Sequence, residues 1–334
     1  MGAKTGIEWT DATWNPIGGC SIKSPGCIHC YAQRLCGLRL AQHPLYAGTT
    51  SPSKNGPMFN GHLTVAKDDA KVWQFPLSWR GAKLPVRGVG RGSLIFVGDM
   101  SDLFHENRPN EVIDRVIAAA MMSKHTLQIL TKRPDRMREY FAAMHDAYNS
   151  DGPAFMKRWG QAAVQITNSP CADMLIEEIG IPQDLWLGCS VESQPYADER
   201  REAMRGVAAM GFTTFVSYEP AIGPVQWGGW HFLRWLISGG ESGPDARPSH
   251  PEWHRIARDW CARNNTAYFF KQWGEWAPGY VGEVRNCSTD RIRLSMDGER
   301  SDVDDDIGGT VMSRIGKNKA GALLDGRAHR EFPT

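Results

Sequence analysis

Six times along the chain a short, unbroken apolar run ends in polar residues and gives way to a helical stretch. The runs are 94–97, 127–130, 185–189, 214–216, 235–237 and 267–270. An apolar run without alternation reads as a strand buried on both faces, the way parallel strands are covered. The stretches between them fit. Residues 110–123 bring Val112, Ile113, Val116, Ile117 and Ala120 close to one helical face, with Asn110 as the expected N-cap. Residues 252–264 repeat the pattern through Trp253, Ile256, Ala257 and Trp260, and 194–210 follows it as well. Strand–helix alternation predicts an α/β fold, a partial or full parallel βα barrel.

A chain of 334 residues is long enough for one such barrel and a small addition. The expected division is a barrel domain over 1–280 and a C-terminal extension over 281–334. The extension carries a β-hairpin near 291–300 that turns at Asp297-Gly298. An acidic run (Asp302, Asp304, Asp305, Asp306) and a mildly basic tail over 314–330 follow, both read as solvated surface. Residues 46–92, rich in Gly and Pro, read as an irregular excursion.

Position gives the polar residues their meaning. Asp99 and Asp102, Lys132 and Arg133, Ser190 and Glu192, Tyr218 and Glu219, Glu241, and Lys271 with Gln272 each follow one of the six runs. βα barrels assemble their active sites at the C-terminal ends of their strands. One polar strand end means little, but six in succession favour a shared pocket.

The net charge of +1 gives no global attraction to nucleic acid or membrane. No run of 18 apolar residues exists to span a bilayer, and 1–10 lacks the features of a signal peptide. The expectation is a cytoplasmic protein. Eight cysteines are too few for a disulfide scaffold in a chain of this size. Thirteen tryptophans, many beside Gly or Pro, read as loop-packing anchors, with a stacking surface for a flat base as the alternative.

Cys20, Cys27 and Cys30 stand in a C-x6-C-x2-C arrangement within a loop over 14–32. A C-x2-C pair lets two thiolates reach one metal centre from a single turn, and the third cysteine completes three corners of a cubane. The fourth iron then has no protein ligand, whereas clusters that only carry electrons take four cysteines. Gly18, Gly19 and Gly26 let the backbone wrap closely. A helix is expected from Tyr31, with Leu35, Leu38 and Ala41 on one face. A structural zinc site with Cys36 or His29 as fourth ligand fits the C-x2-C pair equally well.

Asn15-Pro16, Gly19-Cys20, Gly26-Cys27, Cys30-Tyr31-Ala32 and Arg34 resemble the cluster loop of spore photoproduct lyase-like radical S-adenosylmethionine proteins. Those proteins usually have C-x3-C-x2-C, three residues shorter in the first gap. Thr5-Gly6-Ile7-Glu8-Trp9-Thr10, Thr131-Lys132-Arg133-Pro134, Ser217-Tyr218-Glu219-Pro220, Gly239-Gly240-Glu241-Ser242-Gly243 and Phe270-Lys271-Gln272-Trp273-Gly274 resemble the phage-associated three-Cys-motif family.

The resemblance implies a radical-S-adenosylmethionine-type barrel, a [4Fe–4S] cluster on Cys20, Cys27 and Cys30, bound S-adenosylmethionine, and a reducing electron donor. It also implies a phage or mobile-element protein in a bacterial host. Asp99 and Asp102 are then expected at the ammonium or ribose of S-adenosylmethionine, Lys132 or Arg133 at its carboxylate, and Ser190 and Glu192 at its ribose. Glu219, Glu241, Lys271 and Gln272 are assigned to substrate, and Cys189 or Tyr218 to hydrogen-atom donation. The expected activity is modification or rearrangement of a nucleotide or DNA base, in particular an isomerase-type step of thymidine hypermodification. A radical lesion-repair lyase and a non-catalytic zinc- or cluster-containing nucleic-acid-binding module are the competing readings.

Overall fold

Seven parallel strands form the central sheet: β1 (Ala12–Trp14), β2 (Leu94–Val97), β3 (Thr126–Thr131), β4 (Leu185–Ser190), β5 (Thr213–Tyr218), β6 (Trp235–Gly239) and β7 (Ala267–Gln272). They lie side by side in chain order, β1 to β7, so the fold is α/β, a partial parallel βα barrel. Every residue of β2, β4 and β6 is buried, as unbroken apolar runs predict. All six expected strands are present. The seventh, β1, has three residues and leaves too short a run to read. The computed structural model describes residues 5–68, 70–80, 92–151, 156–179, 182, 184–279, 290–304 and 308–333.

Contacts divide the chain into two compact units. The first is Met1–Lys23, Ala32–Cys189 and Glu202–Thr214; the second is Ser24–Tyr31, Ser190–Arg201 and Phe215–Thr334.

In the first unit, Ile95 of β2 is in register with Ala12 of β1 and Leu127 of β3, and Leu127 with Leu185 of β4. Helix α1 (Tyr31–Gly37) follows the cysteine loop. Its buried residues are Ala32, Gln33 and Cys36, whereas Leu35 and Leu38 are 37% and 59% exposed. The expected Leu35/Leu38/Ala41 face is therefore wrong: the helix stops at Gly37, before a face of that length can form. Helix α2 (Asn110–Met122) buries Ile113, Val116 and Ile117 as predicted. Its N-cap, however, is Pro109 rather than Asn110. Asn110 is already helical, so its side chain turns away from the first turn and accepts from Arg136. Helices α3 (Pro134–Asp151), α4 (Met156–Thr167) and α5 (Ala172–Ile179) complete this layer.

The region over 46–92 has more order than expected. Thr50–Ser53 pairs with Gly56–Phe59, Thr64–Val65 pairs with Ile17–Gly18, and Ala70–Trp73 and Phe75–Ser78 are single helical turns. Residues 81–91 lie outside the described residues.

Helix α6 (Gln194–Ala209) follows β4. In the second unit, β5, β6 and β7 pair in parallel, and α7 (Pro251–Arg263) follows β6. The His250 ring caps α7 by accepting from the Glu252 N–H at 3.2 Å. A second, antiparallel sheet has the order β8 (Trp276–Pro278), β11 (Thr310–Arg314), β9 (Arg291–Leu294), β10 (Arg300–Ser301). Strands β9 and β10 are the expected hairpin, turning through Gly298 at φ +93°. Residues 281–289, with Cys287, and 305–307 lie outside the described residues, and with them Asp305 and Asp306 of the expected acidic run.

The basic tail is not simply solvated. The Phe270 N–H donates to the His329 carbonyl at 3.0 Å and the Glu331 N–H to the Tyr268 carbonyl at 3.1 Å, along the outer side of β7. An uncovered strand edge invites pairing with other chains, and this segment covers it. Twelve of the thirteen tryptophans are buried, all but Trp79. Indole N–H groups of Trp14, Trp235, Trp253, Trp273 and Trp276 donate to backbone carbonyls at 2.7–2.9 Å. They are packing anchors with a polar end satisfied. No helix among the described residues is long and apolar enough to cross a membrane.

Candidate functional site

In the second unit, Pro25–Cys27 forms a single 3₁₀ turn. The Cys27 N–H bonds the Ser24 carbonyl at 2.9 Å and the Cys30 N–H the Cys27 carbonyl at 3.3 Å, which puts Cys27 and Cys30 one turn apart. Two side chains hold this loop, Glu192 and Arg247. The Ser24 hydroxyl donates to Glu192 Oε1 at 2.7 Å. Glu192 Oε2 in turn accepts from Arg200 Nη1 at 2.9 Å, and neither side chain is exposed at all. Arg200 also donates to the Ser190 carbonyl at 2.7 Å. At Gly26, a Cβ would come within 2.6 Å of Glu192 Cγ, so only glycine allows this approach. Arg247 Nη2 donates to the Pro25 carbonyl at 3.1 Å. Arg247 is fixed by Glu241, which accepts from its Nε at 2.7 Å, its Nη2 at 2.5 Å and its backbone N–H at 2.9 Å.

Glu241 and Glu192, expected at ligands, are thus placed as buried acceptors that brace the cysteine loop. The glycines around Glu241 serve backbone contact: a Cβ on Gly240 would lie 1.9 Å from the Trp273 carbonyl oxygen, and one on Gly274 2.0 Å from that of Glu241. Sequence reasoning missed Ser24, Arg200 and Arg247. An arginine on a polar helix or in a coil carries no pattern that separates a buried brace from a solvated charge.

At the ends of β5 to β7 a second polar group assembles. Lys271 Nζ meets Glu219 Oε1 at 2.8 Å, with side chains 14% and 17% exposed. Gln272 Nε2 donates to Ser242 Oγ at 2.9 Å, while its buried Oε1 has no hydrogen-bond partner among the described residues. Tyr218 lies in β5 with its hydroxyl donating to the Gly223 carbonyl at 2.5 Å and its ring edge-on to Trp227. Burial, and after it the neighbouring Tyr268, pushes the Tyr218 phenol well above its ordinary range.

The first unit carries Cys20, partly exposed, and Cys189, fully buried in β4. Arg133, at the end of β3, uses all five of its N–H donors. Nε donates to Glu106 at 2.6 Å, and Nη1 to Asp102 at 2.9 Å and to Cys20 Sγ at 3.9 Å. Nη2 donates to the Ser21 hydroxyl at 2.6 Å and its carbonyl at 3.5 Å.

Asp102 is buried and also accepts from the Thr131 hydroxyl at 2.7 Å, the Phe104 N–H at 3.0 Å and the Lys132 N–H at 3.4 Å. Burial raises the Glu106 carboxyl, but its own backbone N–H and Arg133 outweigh that and hold it at about 2. Asp99 Oδ1 accepts from Asn15 Nδ2 at 2.5 Å, and the buried Asn15 Oδ1 has no partner among the described residues. Arg108, also buried, donates to the Thr64 and Gly18 carbonyls at 3.0 and 3.1 Å. Burial lowers its guanidinium to about 10.

Among the described residues, no group of three or more His, Cys, Asp and Glu side chains has the geometry of a metal site. The donor set nonetheless fits an iron–sulfur cluster. Three thiols share one eleven-residue segment, and thiolates are the ligands such clusters take. Arg133 Nη1 donates to the Cys20 sulfur at 3.9 Å. For zinc, Cys36 as fourth ligand is buried in the first unit, in the wall of a cavity shared with Tyr46 and Pro57.

A family model described as "Protein of unknown function (DUF5131)" matches residues 4–333. Among solved structures, a spore photoproduct lyase mutant with bound AdoMet and dinucleoside spore photoproduct is similar at a TM-score of 0.37 and 10% identity. That similarity covers 75% of this chain and 60% of the lyase chain, under two thirds of its length. No curated protein matches the sequence.

Proposed function

We propose that this chain, which belongs to the DUF5131 family, is a radical S-adenosylmethionine enzyme acting on a nucleotide base. The observation that carries the reading is the braced cysteine loop. Three thiols in C-x6-C-x2-C spacing stand on a segment whose backbone is pinned by buried Glu192 and by the Glu241–Arg247 pair. So much buried charge spent on one short loop suits a loop that must hold its shape around a reactive group.

In this reading Cys20, Cys27 and Cys30 hold a [4Fe–4S] cluster. When bound with S-adenosylmethionine and supplied with one electron by a low-potential donor, that cluster provides reductive cleavage to methionine and a 5′-deoxyadenosyl radical. The chain's own residues bind and orient. Asp99, with Asn15 beside it, accepts the ammonium or ribose, Lys132 faces the carboxylate, and Ser190 lies toward the ribose. Asp102 and Glu192 act through their arginines. Glu219, Lys271 and Gln272 offer a carboxylate, an ammonium and an amide to the edge of a base. Cys189 and Tyr218 are the hydrogen-atom donors to test. The barrel domain is taken as 1–280, with the extension over 281–334.

The resemblance to the phage-associated three-Cys-motif proteins directs the substrate to thymidine hypermodification, as an isomerase-type rearrangement in the host cytoplasm. The test is anaerobic reconstitution with iron and sulfide, then dithionite and S-adenosylmethionine, with 5′-deoxyadenosine quantified against Cys27→Ala. Product from the wild type alone supports the reading. A protein that purifies with one tight zinc, takes up no cluster and forms no 5′-deoxyadenosine overturns it.

A further inference from the structure

Arg133 sits where a cation for the carboxylate of S-adenosylmethionine was expected, yet it has no donor left to give one. Its five N–H groups go to Glu106, Asp102, Ser21 (twice) and the sulfur of Cys20. The side chain is 3% exposed, and Asp102 opposite is 6% exposed. The acceptors come from two places in the sequence: Cys20 with Ser21, and the loop after β2 that carries Asp102 and Glu106. Asp102 is itself fixed by Thr131 and by backbone N–H groups, so the guanidinium cannot swing without breaking several buried hydrogen bonds.

We infer that Arg133 is a positioning residue for the Cys20 sulfur and sets the reduction potential of a cluster bound there. The inference rests on the cluster reading above and deepens it. Hydrogen bonds and positive charge at a ligand sulfur favour the more reduced, more negative cluster and raise its potential. A network of Asp102, Glu106 and Ser21 holding one N–H toward Cys20 therefore makes the cluster easier to reduce. Asp102 becomes a second positioning residue rather than a ligand for the ammonium.

The test uses reconstituted full-length protein without S-adenosylmethionine and reads three things: iron and sulfide per chain, cluster absorbance, and the midpoint potential from an EPR-monitored redox titration. Arg133→Gln is expected to keep its iron and sulfide but to shift the midpoint to more negative values. Arg133→Lys keeps the charge and loses the fork, and its expected shift is smaller in the same direction. Should Arg133→Gln lose its fold, as circular dichroism would reveal, Arg133→Lys alone still decides the matter. A loaded wild type whose folded variants titrate at the same midpoint overturns this inference and leaves the functional reading standing. A wild type that loads no cluster overturns both.

Discussion

At the scale of single residues, the second unit devotes its most buried charges to one short loop. Glu192 and Arg200 are fully desolvated, a costly arrangement in which removing either partner strands the other. Gly26 shows how close the fit is. Gly26→Ala would drive a methyl group to 2.6 Å from Glu192 Cγ and 2.8 Å from its Oε1. The expected loss is about 1–3 kcal/mol of stability, together with reduced iron uptake on reconstitution. Urea unfolding and iron analysis measure both, and a variant equal to wild type in each would show that the loop tolerates a side chain at this position. The cysteines and strand-end acids were legible because their spacing and position carry the signal. Ser24, Arg200 and Arg247 were not, because a partner distant in sequence leaves no local pattern.

At the scale of elements, the six apolar runs gave six strands, while β1 and the helix boundaries at Asn110 and Gly37 depended on context. The last strand shows an element completed from outside itself. Beyond the two backbone bonds along β7, Arg330 lies over the Phe269 ring at 4.5 Å and donates to the Phe270 carbonyl at 2.8 Å. Phe332 packs against Trp235 at 5.1 Å, and the Glu331 carbonyl accepts from the Trp235 indole at 2.9 Å. Deleting 329–334 should uncover β7 and lead to larger assemblies than the full chain forms, followed by size-exclusion chromatography with light scattering. An unchanged elution and an unchanged melting temperature would mean the edge has other protection.

At the scale of the whole molecule, acid should destabilise the fold well above the carboxylate range. Burial lowers His105, His125, His250, His254 and His329 below 6.5, and His254, fully enclosed between Ser238 and Ser249, falls to about 3. The unfolded chain takes up protons near pH 6.5 and the folded one does not, so stability is full above 6.5 and declines as pH falls toward the folded values. His254 alone contributes roughly 1.4 kcal/mol per pH unit in that window. Urea unfolding between pH 7.5 and 5.0 checks this, and a flat or rising profile toward acid contradicts it. The sequence by itself determined the α/β class, the strand order's raw material and the thiol-bearing loop, because periodicity, burial of apolar runs and cysteine spacing are local properties. Only the tertiary structure decided which charges brace that loop, which arginine faces Cys20 and what covers β7. Those are pairings between residues far apart in the chain, and the energy that selects them exists only once the intervening core has packed.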